Sequence, residues 1–351
     1  MADRVLPPFG FGVLGINHDH VHDLMRCMVE AGGICRGFYA AEADLAATFA
    51  AVHPEVPRVG EARQLLEAED VALIVSAAIP GDRAAIAIAA MRHGKDVLVD
   101  KPGVVSFDEL QAVRQVQAET GRRHAIFFSE HLAQRATVRA AELVAAGAIG
   151  KVVNLVGLGP HRIRAAGRPD WFFRPERNGG ILVDIASHQA EQFLFFADAV
   201  EGEVLSATVG NHALPSHPGF HDFGDMHLRA GAVTGYARVD WYTPDAMPVW
   251  GDGRLTILGT EGSIELRKYF DPAGRPGGDH LFLLNREGVR HIDCRQASLP
   301  FGPLFAADMR DRTERAMPQA RSFGAMELAL TAQALAEGQS LPPWVKAAGR
   351  R

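Results

Sequence analysis

Apolar runs and amphipathic stretches alternate through the first third of the chain. The apolar runs lack polar alternation, which is typical of strands buried on both faces of a parallel sheet. They are FGFGVLG (9–15), GICRGFYA (33–40), VALIVSAA (71–78), DVLVDKPG (96–103) and RHAIFF (123–128). The stretches between them predict helices over Val21–Ala31, over Glu42–Val52, over a segment that stops at Gly94, and over Phe107–Thr120. This order predicts a doubly wound α/β domain of the nucleotide-binding type, whose ligand crevice lies at the carboxyl ends of the strands.

After about residue 128 the pattern changes to shorter runs with turn signals at close intervals. A helix is predicted over Arg135–Ala146, several strands follow, and an amphipathic helix is predicted over 323–338. Short strands joined by close turns favour a largely antiparallel sheet with its own helices. We therefore predict two domains, 1–127 and 128–351.

Composition limits the classes of function. The 351 residues suffice for two hydrophobic cores, and the net charge of −6 gives no sign of binding to nucleic acid or anionic membranes. Cys27, Cys35 and Cys294 are widely spaced and form no disulfide framework or thiolate metal site. The opening MADRVLPPFG has no apolar signal-peptide core, and no apolar run is long enough to span a bilayer. A cytoplasmic location is expected.

Two stretches carry candidate chemistry. In VLVDKPG, Lys101 follows an apolar strand directly, so its ammonium lies at the predicted ligand crevice. In GGILVDIASHQAEQFLFF (179–196), a glycine pair precedes one predicted helix, on which Asp184, His188 and Glu191 share a face. Taken alone, each stretch also has a structural interpretation, namely a surface lysine and a structural Asp–His hydrogen bond.

Together, the Asp-Lys-Pro strand end and the later G-G-x-x-x-D-x-x-x-H segment resemble the glucose-fructose oxidoreductase/inositol dehydrogenase (Gfo/Idh/MocA) family. RHGKDVLVDKPG, LVAAGAIGKVVNL and LTILGTEGSIEL extend the resemblance over nearly the whole chain. It implies an N-terminal Rossmann domain and a C-terminal α/β domain with a large, mostly antiparallel open sheet, often used for oligomerisation. It also implies NAD(P)-dependent oxidation of a sugar, polyol or sugar-acid hydroxyl to a ketone, or the reverse.

The resemblance assigns catalytic roles by position to Lys101, Asp184 and His188. His188 is the candidate base for the hydroxyl proton, and Asp184 orients its ring. Lys101 stabilises developing alkoxide charge. The predicted cofactor-binding residues follow the first four strands and are Gly15, Ile16, Asn17, His18, Tyr39, Ala40, Ala77, Ala78, Pro80 and Lys101. We expect these two catalytic groups, Lys101 and the Asp–His pair, to meet around one small-molecule alcohol.

The segment GVLGINHDHVHD (12–23) departs from the family's glycine loop. Only Gly15 is kept, and Asn17 and His20 occupy the second and third glycine positions. His18, His20 and His22 alternate as in some metal sites, yet no closed set of ligands stands nearby, so no metal is predicted. We interpret the segment as a modified nucleotide loop in which Asn17 caps the helix and the histidines contact phosphate or widen the turn.

The cofactor is predicted to be NAD or NADP. The acidic residue expected after the second strand falls near Ala40, Glu42 is displaced from it, and no arginine follows that strand to receive a 2′-phosphate. The choice between the two cofactors therefore stays open.

A basic segment (159–178) between a strand and the Asp–His helix is either a solvated loop or a cover for the substrate. The predicted substrate-binding residues are Glu130, His161, Arg162, Trp171 and His188.

Three functional interpretations stay open. The first is an NAD(P)-dependent oxidoreductase acting on a sugar or polyol. The second is an enzyme of the same fold that keeps NAD bound and shows no net redox change, such as a lyase, epimerase or glycosidase. The third is a non-catalytic regulator that senses a sugar or dinucleotide. A homodimer or homotetramer is expected.

Overall fold

The computed structural model describes residues 8–345, so the first seven residues of the opening segment and the end of the second predicted domain lie outside the described residues. The chain forms two compact units. One comprises the chain up to Phe127 together with Pro300–Gln319, and the other comprises Phe128–Leu299 together with the chain from Ala320. None of the helices within residues 8–345 is long and apolar enough to cross a bilayer.

The first unit contains a five-stranded sheet in the order β2-β1-β3-β4-β5, with every neighbouring pair parallel. Its strands are β1 Phe9–Leu14, β2 Gly33–Tyr39, β3 Leu73–Ser76, β4 Asp96–Asp100 and β5 His124–Phe127. Its helices include α1 His20–Glu30, α2 Ala43–Val52, α3 Ala62–Glu67, α4 Pro80–Arg92 and α5 Phe107–Thr120. Every residue of β3, β4 and β5 is buried, which explains their lack of polar alternation. The predicted parallel α/β fold is confirmed, although α3 was not predicted.

The second unit contains an eight-stranded sheet in the order β13-β12-β11-β10-β6-β9-β8-β7. The strands are β6 Val152–Pro160, β7 Glu203–Gly210, β8 Phe223–Ala230, β9 Val233–Asp240, β10 Arg254–Gly259, β11 Gly262–Arg267, β12 His280–Asn285 and β13 Gly288–Asp293. Only the central β6–β9 pair is parallel, so the predicted large, mostly antiparallel sheet is confirmed. Its helices are α6 Ser129–Leu132, α7 Arg135–Ala145, α8 Pro175–Asn178, α9 Ile181–Asp184, α10 Ser187–Phe196 and, from Ala320 onward, α12 Gln319–Ala336.

Residues 300–319 belong to the first unit, although the sequence placed all of 128–351 in the second domain. Helix α11, Phe301–Asp311, packs against α1, and the ring of Phe301 lies 5.6 Å from that of Phe127. Gly302 permits the close approach, because a Cβ there would lie 2.8 Å from the carbonyl oxygen of Cys27. Apolar contacts distant in sequence decide this placement, and the local pattern does not contain them.

The helix predicted after the glycine pair is divided into α9 and α10. The amide of Ala186 bonds back five residues to the carbonyl of Ile181 at 3.4 Å, and the hydroxyl of Ser187 donates to the Asp184 carbonyl at 3.5 Å. These bonds interrupt the regular i to i−4 pattern. Asp184 therefore ends one short helix and His188 lies in the first turn of the next. The prediction of a single continuous helix was wrong at this point.

Candidate functional site

Backbone hydrogen bonds join the segments that end β1, β2 and β3, at the carboxyl ends of the parallel strands. The amide of Gly15 donates to the carbonyl of Tyr39 at 3.1 Å, the amide of Ala77 donates to Gly15 at 3.1 Å, and that of His18 donates to Ala77 at 3.0 Å. Gly15 is required here, because its φ is +79° and a Cβ would lie 2.4 Å from that of Ala78. The structure thus brings most of the predicted cofactor-binding residues together.

Asn17 does not cap helix α1. The helix begins after Asp19, without a side-chain cap, and the Asn17 amide instead donates to the Glu42 carboxylate at 2.8 Å. A basic group also lies near the end of β2, since Arg58 donates to the carbonyl of Ala40 at 3.2 Å. The sequence did not reveal this arginine, because it comes from a segment that follows α2 and pairs beside Phe38.

The histidine segment meets a carboxylate from β4. Nδ1 of His20 lies 2.9 Å from a carboxylate oxygen of Asp100, which is 80 residues away in the chain. Donor atoms of His18, His20 and Asp100 lie within 4.8 Å of one another, which the sequence did not reveal, and the absence of a metal site stays a prediction. His22 is directed elsewhere, with its Nδ1 2.8 Å from Nε2 of His53.

Arg83 fixes the Asp-Lys-Pro segment. Its guanidinium contacts the second Asp100 carboxylate oxygen at 3.0 Å, and the side chains of both residues are 1% exposed. It also donates to the carbonyl oxygens of Ala78, Asp100, Lys101 and Pro102. Lys101 itself is 5% exposed. The sequence signal for Arg83 was an arginine in the first turn of α4, directly before the mostly apolar stretch 84–91.

The neighbouring positive groups keep Asp100 ionised. Burial raises the pKa of a carboxyl, but His20 and Arg83 outweigh this effect and hold the pKa of Asp100 far below its ordinary value. The pKa of His18 is lowered as well, to well below 6.5, because burial and the neighbouring His20 disfavour the charged ring. The carboxylate is therefore a fixed charge, and His18 is neutral at neutral pH.

The loop after β1 fits the diphosphate of a dinucleotide. Within residues 8–345, the backbone N–H groups of Ile16, Asn17 and Asp19 have no hydrogen-bond acceptor, and they precede the N-terminus of the 11-residue helix α1. Such groups bind phosphate well. The residues predicted from the sequence to hold NAD or NADP stay a prediction, and the structure adds Glu42 as a candidate.

In the second unit, His188 is buried, and its ring lies 6.3 Å from that of Phe128. Asp184 is partly exposed and lines a small cavity whose other residues are Pro175, Asn178, Gly180, Ile181, Phe220, His221 and Trp241. Gly180, whose φ is +83°, begins α9, and a Cβ there would overlap the side chain of Gln333. The glycine pair thus serves close packing before the Asp–His segment.

A buried polar network lies beside His188. The Glu130 carboxylate accepts hydrogen bonds from Lys268 at 2.9 Å and from Gln189 at 3.0 Å. Lys268 also donates to Gln192 at 2.6 Å, and the Gln192 amide donates to the carbonyl of His188 at 3.0 Å. The sequence predicted Glu130 as a substrate ligand but missed Lys268, which follows the end of β11.

Electrostatics in this network favour the ionised carboxylate. Burial raises the pKa of Glu130, but Lys268, His188 and His161 together lower it to about 2. Its other oxygen, Oε1, is buried and has no hydrogen-bond partner among the described residues. Glu130 therefore places a negative charge near the predicted base.

The basic segment has mainly structural contacts. Arg162 donates to the carbonyls of Pro244, Met247 and Val249, so this guanidinium anchors a neighbouring loop, and its assignment to substrate stays a prediction. The ring of His161 packs between Trp241 and Trp250. Trp171 is partly exposed, as expected for a group that lines a binding surface.

A cavity of about 500 Å³ in the second unit contains none of the predicted site residues. Its lining includes Arg238 and Asp240, which alternate along β9 with the buried Ala237 and Val239. Successive side chains of a strand point to opposite faces. The cavity therefore lies on the face of the sheet opposite the Glu130 network, and its size alone does not make it the reaction site.

Two family models match the chain. Residues 10–128 match the oxidoreductase family with the NAD-binding Rossmann fold, and residues 137–265 match the GFO/IDH/MocA C-terminal domain. The chain is 27% identical over 225 residues to 1,5-anhydro-D-fructose reductase of Ensifer adhaerens, covering 60% of this chain and 61% of that protein. It is 26% identical over 203 residues to scyllo-inositol 2-dehydrogenase (NAD(+)) of Bacillus subtilis, covering 57% and 54%. The chain thus matches less than two thirds of the length of these relatives.

Solved structures agree over nearly the full length. A crystal structure of a protein from Erwinia carotovora atroseptica, described as an oxidoreductase, is 41% identical, with a TM-score of 0.91 over 93% of this chain and 98% of that chain. Levoglucosan dehydrogenase, in complex with NADH and levoglucosan, shares the fold at 19% identity, with a TM-score of 0.69 over 96% and 92%. The chain therefore belongs to the Gfo/Idh/MocA family of oxidoreductases, and its first unit is that family's NAD-binding Rossmann domain.

Proposed function

We propose that the protein is an NAD(P)-dependent dehydrogenase that oxidises a secondary hydroxyl of a sugar, polyol or sugar acid to a ketone, or catalyses the reverse. The observation that carries the proposal is Lys101, a buried lysine whose segment is fixed by Arg83 at the carboxyl edge of an NAD-binding sheet. This position places an ammonium beside the loop that the family uses for the dinucleotide, where it can contact the oxygen that reacts with the nicotinamide. The names of the reductase, inositol dehydrogenase and levoglucosan dehydrogenase relatives support this substrate class.

Lys101 is the proposed group that stabilises charge on the reacting oxygen. Arg83 fixes the backbone on both sides of Lys101 by donating to the carbonyls of Asp100 and Pro102, so the lysine starts from a defined position directly after β4. A preorganised cation of this kind stabilises an alkoxide more than the neutral alcohol, and it therefore lowers the barrier.

His188 is the proposed base. A neutral imidazole can accept the hydroxyl proton near neutral pH. The Glu130 carboxylate, held by Lys268, places a negative charge near the ring, and Asp184 is the proposed group that orients it. His161 and Trp171 are proposed to line the substrate surface.

The chemistry balances as a two-electron oxidation. The alcohol carbon loses a hydride, the oxygen loses its proton to the base, and the carbon–oxygen bond becomes a carbonyl. A nicotinamide cofactor, when bound, would supply the hydride acceptor. One NAD(P)H and one proton are formed for each alcohol oxidised.

The test is a screen of sugars, inositols and sugar acids with NAD+ and NADP+, in which the absorbance of reduced nicotinamide is recorded. Lys101→Ala and His188→Ala should each lower kcat at least about 100-fold while the fold is kept. Lys151→Ala and His93→Gln alter exposed residues and are the matched controls. Turnover by both site variants at the wild-type rate contradicts the proposal.

The same screen separates the other two interpretations. Product formation without accumulation of NAD(P)H indicates a lyase, epimerase or glycosidase with retained cofactor. Binding of sugar or dinucleotide without any product indicates a regulator. Retention of both Lys101 and His188 supports catalysis, because a sensor needs neither a base nor an oxyanion partner.

Self-association is proposed through the open face of the eight-stranded sheet. Leu258, Leu284 and Val289 are 46%, 40% and 73% exposed and stand in one cross-strand row, in which Ser263 of β11 lies between Leu258 and Leu284. An apolar row of this kind favours a second copy as its cover. The molar mass from light scattering should be that of a dimer or tetramer. The Leu284→Glu variant should have a molar mass closer to that of the monomer.

A further inference from the structure

The hydrogen bond between His20 and Asp100 crosses the ligand crevice of the first unit. His20 is the first residue of α1, which follows β1, and Asp100 is the last residue of β4. Strand β3 lies between these two strands in the sheet, so the imidazole spans the carboxyl end of β3. In open α/β sheets, ligands bind outside the strand ends at such a switch point.

The hydrogen bonds decide which ring atoms face a ligand. Nδ1 of His20 is bound to the Asp100 carboxylate and therefore carries a proton. Its Nε2 is an acceptor when the ring is neutral and a donor only when the ring is protonated. Nδ1 of His18 accepts the backbone N–H of His20 at 3.2 Å, so the neutral His18 ring carries its proton on Nε2.

The local charge favours an anion over a cation. Each Asp100 carboxylate oxygen already has a donor, His20 on one and Arg83 on the other. A metal ion bound by His18, His20 and Asp100 would break the hydrogen bond between His20 and Asp100. It would also face the positive charges of Arg83 and Lys101, both of which act on His18. The positive charges of Arg83 and Lys101 therefore make the surroundings of His18 more favourable to an anion than to a metal ion.

We propose that His20 binds the diphosphate of the dinucleotide as an imidazolium, in place of the missing glycines, so that cofactor binding takes up a proton. Asp100 supplies the counter-charge that keeps the ring in place, and the amides of Ile16, Asn17 and Asp19 complete the anion site. The proposal rests on the cofactor part of the proposed function and is independent of the chemical step.

The charged groups around His20 come from three elements and the loop. They are Asp100 on β4, Lys101 after it, Arg83 on α4, His18 in the loop, and Asp19 and Asp23 beside and on α1. Asp23 is paired with Arg26 at 2.6 Å, and His18 stays neutral. His20 is thus the imidazole of this set whose Nδ1 is bound to a carboxylate, so that its Nε2 is the ring atom that can contact an anion.

Calorimetry of ADP-ribose and NAD+ binding tests the proposal without substrate. At about pH 8, above the ordinary titration of histidine, titrations in HEPES and Tris should show proton uptake by the wild type. His20→Gln should weaken binding at least about tenfold and abolish the uptake. His22→Gln is the matched control, since His22 pairs with His53, and it should change affinity less than about twofold.

A second variant and a ligand without phosphate complete the test. A His20→Lys variant, charged at every pH used, should bind ADP-ribose without proton uptake. Adenosine, which has no phosphate, should bind all variants equally. Proton uptake that persists in His20→Gln or His20→Lys overturns the proposal. It is also overturned if His20→Gln weakens adenosine binding as much as it weakens ADP-ribose binding. Titration with zinc alone should show no tight binding, and one-to-one zinc binding lost in both His18→Gln and His20→Gln also overturns it.

The outcomes separate this proposal from the proposed function. Wild-type ADP-ribose affinity in His20→Gln contradicts the histidine role and leaves dehydrogenase activity open. Proton-linked cofactor binding without turnover of any alcohol supports the histidine role and contradicts the dehydrogenase.

Discussion

Glu130 and Lys268 form an ion pair, 2.9 Å apart, in which the side chains are 0% and 1% exposed. They are 138 residues apart in the chain. A buried ion pair contributes little net stability compared with well-packed apolar residues, because both charges lose their hydration. Its place beside His188 therefore indicates a role in setting the charge around the proposed base.

Removal of either charge should be strongly destabilising. Glu130→Gln or Lys268→Met leaves one uncompensated buried charge and should lower the free energy of unfolding by about 3–5 kcal/mol. The double variant should lose less free energy of unfolding than the two single variants lose together. Urea unfolding of the four proteins measures the coupling, and strictly additive losses would show that the two charges do not interact.

The same pair predicts acid sensitivity. The pKa of Glu130 is depressed from 4.5 to about 2, so the unfolded chain binds the proton more readily than the folded one. The stabilisation is complete above about pH 4.5 and is lost as the pH falls towards 2. Unfolding curves recorded over this range should show a smaller slope against pH in the double variant than in the wild type.

His124 predicts a second pH dependence at milder acidity. Burial in β5 lowers its pKa from 6.5 to about 4, so protonation favours the unfolded chain. Stability should be intact above pH 6.5 and should fall as the pH drops from 6.5 to 4. His124→Leu should flatten this part of the stability curve. An unchanged slope in that variant would show that another group is responsible.

Arg83 should resist replacement by lysine. Its guanidinium donates hydrogen bonds to several carbonyls and to the Asp100 carboxylate at the same time. An ammonium cannot reproduce that planar set of donors. We expect Arg83→Lys to lower the free energy of unfolding by about 3 kcal/mol and to reduce turnover more than tenfold. The control is Arg92→Lys at the exposed end of the same helix, which should change stability by less than about 0.5 kcal/mol.

The position of Glu42 predicts the cofactor. Asn17 holds its carboxylate at 2.8 Å at the mouth of the nucleotide loop, where a carboxylate binds ribose hydroxyls and repels a 2′-phosphate. The protein should prefer NAD+ to NADP+, and Glu42→Gln should narrow this preference about tenfold. Arg58→Gln should weaken NADP+ binding more than NAD+ binding. Calorimetry measures the affinities for NAD+ and NADP+. An unchanged ratio of these two affinities in Glu42→Gln would contradict the assignment of Glu42 to the ribose.

Local patterns determined the regular elements of this chain. The helix over Phe107–Thr120 matches its prediction at both ends, because Ser106 caps it and Gly121 stops it in the left-handed region. The parallel sheet followed from apolar runs that are buried on both faces. The Asp-Lys-Pro and Asp–His segments were found because their residues stand close together in the chain.

Only the tertiary structure decided how distant charges are paired. The partners His20 and Asp100, Glu130 and Lys268, and Asn17 and Glu42 come from separate elements, and no spacing rule connects them. The break between α9 and α10 and the packing of α11 against the first unit are likewise absent from the local pattern. Hydrophobic periodicity is a property of neighbouring residues, whereas a buried charge is stabilised by whichever group the fold brings within hydrogen-bond distance.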